Sequence, residues 1–85
     1  MSKKEKLLKR LLSKPKDFAF EETEKLLKQL GYEIDYKGKT SGSRVRFINN
    51  TIDHSIIMHK PHPKNILKLY QVLEIINELK IVNLI

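Results

Sequence analysis

Lys39, Ser43, Arg44, Arg46, His59 and Lys60 are the residues of this chain whose types and spacing could do chemistry. Two arginines stand one residue apart directly after Gly42-Ser43, and a histidine-lysine pair closes the next apolar run. Arginine and lysine hold phosphate oxygens, and the N–H groups of a glycine-serine turn can add to that grip. Histidine is the usual proton acceptor or donor near neutral pH. Together they suit phosphate binding and proton transfer at a polyanion, which points to RNA or DNA.

The charge balance agrees. Seventeen Lys and Arg against ten Asp and Glu give a formal net charge of +7 on 85 residues. A basic excess of this size on so small a chain favours polyanionic partners. A merely lysine-rich solvated surface is the plainer alternative. There is no cysteine, so disulfides and thiolate metal sites are excluded, consistent with a cytoplasmic protein. His54, His59 and His62 lack a metal-ligand spacing and a supporting carboxylate cluster, so neither a metal nor another cofactor is expected. His54 and His62 read as ordinary strand and loop residues. No apolar stretch approaches the roughly 20 residues needed to cross a bilayer, and the basic N-terminus lacks the apolar core of a signal peptide.

The elements that must position these groups follow from periodicity. Leu7, Leu8, Leu11 and Leu12 form an apolar stripe on a short helix, Lys3 to Leu12, which Pro15 ends. Phe20, Thr23, Leu26, Leu27 and Leu30 mark a second helix, with glutamates in its first turns and Gly31 as its stop. Tyr32, Ile34 and Tyr36 alternate with charged residues as a strand. A turn-rich stretch, Gly38 to Ser43, leads into a second strand, Arg44 to Ile48, with Val45 and Phe47 on one side and the arginines on the other. Asn49 to Asp53 reads as a hairpin loop and His54 to His59 as a third strand. The run Ile56-Ile57-Met58 blurs the alternation there, leaving the face of His59 open. Val72, Ile75, Ile76 and Leu79 set a last helix, Leu69 to Lys80. Tyr32, Tyr36 and Phe47 read as core rather than base-stacking residues, while Tyr70 is undecided. The apolar tail Ile81 to Ile85 could pack on its own domain or join two copies as a homodimer. The pattern predicts one α+β domain over residues 1–85: a three-stranded antiparallel meander with helices on one face.

These residues carry a family resemblance over roughly Phe18 to Leu79. Leu26-Leu27-Lys28-Gln29-Leu30-Gly31-Tyr32, then Gly42-Ser43 with Phe47 beyond, Met58-His59-Lys60, and the helix with Tyr70, Val72 and Ile76 resemble the HicA toxins of toxin–antitoxin pairs. The resemblance implies a fold similar to the double-stranded RNA-binding domain, α-β-β-β-α, over residues 18–80. Residues 1–14 would be an added N-terminal helix. It also implies an mRNA-cleaving toxin, neutralised by a HicB antitoxin that covers its RNA-binding face. The family's usual motif is Gly-Ser-His, with that histidine catalytic. Here the matching residue is Arg44, which stays protonated and cannot readily act as a base. His59 matches another histidine frequent in the family. Two readings follow. In one, His59 moves the proton and Arg44 clamps the phosphate, with Lys39, Ser43, Arg46 and Lys60 binding RNA. In the other, the chain is a non-catalytic module that binds RNA or an antitoxin.

Overall fold

The computed structural model describes residues 3–35, 44–61 and 64–85, without the side chains of residues 3 and 4. The element order is α1 (Lys3–Leu12), α2 (Phe20–Gln29), β1 (Glu33–Ile34), β2 (Arg44–Asn49), β3 (His54–His59) and α3 (Leu69–Ile81). This is the expected α+β order, an α-β-β-β-α unit preceded by one more helix. Tyr36 and the 38–43 connection lie outside the described residues.

Local chemistry sets both ends of α2. The Glu22 carboxylate accepts the Ala19 N–H at 3.0 Å, satisfying a donor at the start of α2. At the far end Gly31 takes φ +100°. There the Tyr32 N–H reaches the Leu27 carbonyl at 2.8 Å and the Gly31 N–H reaches that of Lys28 at 3.1 Å. Glycine suits this left-handed position because it has no Cβ. Just before α2 and α3, Ala19 and Ile66 form an antiparallel bridge. The Phe20 N–H donates to Asn65 and the Leu67 N–H to Phe18, so the two helices start side by side.

The three strands lie in sequence order, antiparallel throughout, with β2 in the middle. Phe47, Ile56 and Met58 are buried and pack with Phe20, Leu26, Leu27, Tyr32, Val72, Ile75, Ile76 and Leu79. Tyr32 and Phe47 are core, as the alternation predicts, and Tyr70 is exposed. Leu11 of α1 joins the same cluster, fully buried. Arg10 fastens α1: its guanidinium meets the Glu22 carboxylate at 2.7 Å and Asp17 at 3.1 Å, and lies 5.6 Å from the centre of the Phe18 ring. Of the tail, Leu84 and Ile85 pack against this core, whereas Ile81 stands exposed. Among the described residues no helix is long and apolar enough to cross a membrane.

Candidate nucleic-acid interface

Register decides what the sheet presents. Arg44 pairs with His59, Val45 with Met58, Arg46 with Ile57 and Phe47 with Ile56. Ile56 and Met58 are buried while Ile57 is 47% exposed. The face of His59, left open by the sequence, is therefore the solvent face, shared with Arg44, Arg46 and Ile57.

Hydrogen bonding sharpens the Arg44–His59 juxtaposition. The Asp35 N–H donates to the Arg46 carbonyl at 2.9 Å, so Arg46 spends its backbone groups on the β1 side. In an antiparallel ladder, alternate residues of a middle strand turn to opposite neighbours. Arg44, like Arg46, thus turns its backbone away from β3. Arg44–His59 is consequently a non-hydrogen-bonded pair, the type in which Cα atoms lie about 4.5 Å apart and side chains stand closest. A cation and an imidazole share one open spot.

The other sequence-derived residues divide. The Arg46 guanidinium lies 3.6 Å from the Asp35 carboxylate and is half exposed. A pair this loose and wet contributes little to stability and leaves the cation able to meet a phosphate. Lys60 turns the other way: its Nζ lies 5.4 Å from the centre of the Phe20 ring, on the helix side of the sheet. It stands at the rim of the Arg44–His59 face rather than on it. Lys39, Ser43 and His62 lie outside the described residues. Among the described residues, no three His, Cys, Asp or Glu side chains group so as to hold a metal ion.

A family model described as HicA toxin of bacterial toxin-antitoxin matches residues 20–81, well over half of the chain. The chain belongs to the HicA toxin family. Neither the curated proteins nor the solved structures returned a match. The matched segment of this HicA protein starts at the first residue of α2, leaving α1 outside it. It includes both Arg44 and His59.

Sequence reasoning missed two buried polar arrangements in this HicA chain. His54 is no ordinary strand residue. Its Nδ1 lies 2.6 Å from the Tyr32 hydroxyl and its Nε2 lies 3.2 Å from the Glu78 carboxylate. In the tautomer that donates Nε2–H to the Glu78 carboxylate, Nδ1 is left to accept from the phenol. Burial, and secondarily the charge of Glu78, push the Tyr32 phenol above its ordinary range. The second is Gln71, buried on α3, whose side-chain N–H donates to the His59 carbonyl at 2.9 Å. A glutamine three residues past the N-cap was its visible sequence signal. For His54 there was none, because its partners come from the turn before β1 and from α3.

Proposed function

We propose that this HicA-family protein is an RNA-binding toxin that cleaves mRNA without a metal ion and is neutralised by a HicB-type antitoxin. The juxtaposition of Arg44 and His59 on the open sheet face carries the reading. His59 accepts the proton of a ribose 2′-hydroxyl. The 2′-oxygen attacks the adjacent phosphorus, the bond from phosphorus to the 5′-oxygen breaks, and the leaving oxygen takes a proton from water. A 2′,3′-cyclic phosphate and a 5′-hydroxyl end result. Arg44 binds a non-bridging oxygen and stabilises the charge that builds there in the transition state. Arg46 on the same face, with Lys39, Ser43 and Lys60, holds the flanking backbone.

The second reading, a non-catalytic RNA- or antitoxin-binding module, rests on Arg44 itself, because a permanent cation occupies the family's catalytic histidine position. One assay separates the two. Wild type, His59→Ala and Arg44→His are incubated with long single-stranded RNA in EDTA. The catalytic reading expects the wild type to cut and His59→Ala to lose at least about 100-fold, the usual range for a lost acid–base group, while still binding RNA. Cutting by Arg44→His alone would establish the binding module. Undiminished cleavage by His59→Ala would remove His59 from the mechanism.

A further inference from the structure

β3 is the edge of the sheet, and His59 is its last residue. In the non-hydrogen-bonded pair with Arg44, the His59 backbone groups turn away from β2 to the open edge. The last described pair whose backbone groups face each other is Val45–Met58, and the chain departs at Pro61. A groove of about 130 Å³, lined by Ile57, Met58, Gln71, Glu74 and Glu78 among others, lies between this edge and α3.

Gln71 bridges that gap. Its side-chain N–H donates to the His59 carbonyl at 2.9 Å, while its side-chain oxygen accepts the Lys68 N–H at 3.0 Å. Both ends of one amide are used, and the residue is only 4% exposed. The amide cannot turn over, since that would set oxygen against oxygen at His59 and N–H against N–H at Lys68. The histidine is thereby tied to the first turn of α3.

We infer that Gln71 is a positioning residue: it holds the end of β3 so that the His59 imidazole stands beside Arg44. The inference rests on the proposed role of His59, and it specifies what keeps that group in place at the last residue of the edge strand. Misplacing a reacting group by about 1 Å can cost about 100-fold in rate.

Gln71→Glu isolates the effect. The carboxylate still accepts the Lys68 N–H, preserving the helix start, but when ionised it has no proton for the His59 carbonyl. Gln71→Met removes both bonds while keeping the volume. Cleavage of single-stranded RNA in EDTA is measured at pH 7. In parallel, NMR of the free protein records the NOEs between the His59 ring and the Arg44 side chain. Gln71→Glu is expected to lose about 10- to 100-fold in kcat with KM near that of the wild type, and to lose those NOEs. Its NOEs should return as the pH falls and the introduced carboxyl, once protonated, can donate to the His59 carbonyl again. Unchanged kcat and NOEs in both variants would overturn the inference. If the wild type does not cut RNA, the catalytic reading falls, and the NOEs alone decide whether Gln71 places His59.

Discussion

Removing the Tyr32 hydroxyl tests the part-buried chain that links the turn before β1 to β3 and α3. In Tyr32→Phe the ring stays and only the donor to His54 Nδ1 goes, 2.6 Å away in the wild type. Tyr32 is 1% exposed, so water has little access from that side. A typical hydrogen bond contributes about 0.5–1.5 kcal/mol net, and an orphaned buried acceptor costs about 1–3 kcal/mol. The His54 side chain is 15% exposed, which allows partial relief. The expected loss is therefore about 1.5 kcal/mol, within the range for a single lost buried bond. For a domain of this size each kcal/mol moves Tm by about 4–8 °C. Thermal and urea unfolding at pH 7 measure it, and Glu78→Gln combined with Tyr32→Phe gives the coupling through the imidazole. The effect has a pH signature. Burial holds the Tyr32 phenol above its ordinary value of 10.0 in the folded protein. Below that pH both states keep the proton. Above it the unfolded chain releases its proton first, so the wild type loses stability as pH rises while Tyr32→Phe lacks this contribution. The gap between them should therefore narrow above pH 10. A loss under about 0.5 kcal/mol at pH 7, or a gap that widens in alkali, would refute the reasoning.

Arg10→Met should cost about 1 kcal/mol at pH 7, a modest value because the network is partly exposed. Hydrogen bonding to Arg10 holds the Glu22 carboxyl below its ordinary value. That stability is present above the unfolded-state value and is lost as pH falls through the folded one, so the deficit of the variant should vanish in acid; urea midpoints from pH 7 to pH 2 show whether it does. Gly31→Ala forces a side chain into φ +100° with its Cβ 3.0 Å from the Asn49 amide nitrogen. A loss of at least about 1–2 kcal/mol is expected from the backbone alone, read by the same unfolding curves; an unaffected midpoint contradicts the assigned left-handed geometry. Arg44→Ala should weaken RNA binding and reduce the slope of log K against log salt by about 0.7, one phosphate contact on a single strand. An unchanged slope in a filter-binding or fluorescence titration removes Arg44 from the phosphate contacts.

Most of the framework was legible in the chain because it depends on local patterns. The spacing of Leu26, Leu27, Val72, Ile75 and Leu79 marked the buried helical faces, and the Val45–Phe47 alternation marked the inner face of β2. Where pattern failed, geometry beyond the segment was needed. Three apolar residues in a row, Ile56 to Met58, carry no period, so only pairing with β2 could show that Ile57 and His59 face water. Lys60 follows His59 in the chain, yet neighbours along a strand point to opposite faces, and its Nζ lies over Phe20 at the rim of that face. Arg10 gave no hint of its role, since Glu22 lies on a different helix. Arg44 and His59 could be named from the chain, but their nearness is a matter of register, which was not written in either strand alone.

The short bridge between Ala19 and Ile66 has a kinetic consequence. Its partners flank α2 and the entire sheet, so closing it encloses most of the molecule in one loop. Such a contact gains little until the intervening hairpin exists, because the loop entropy must be met first. The clasp should close late in folding and, since unfolding retraces the same path, open early. Its two amides, Phe20 and Leu67, should then exchange with solvent through an opening less costly than global unfolding.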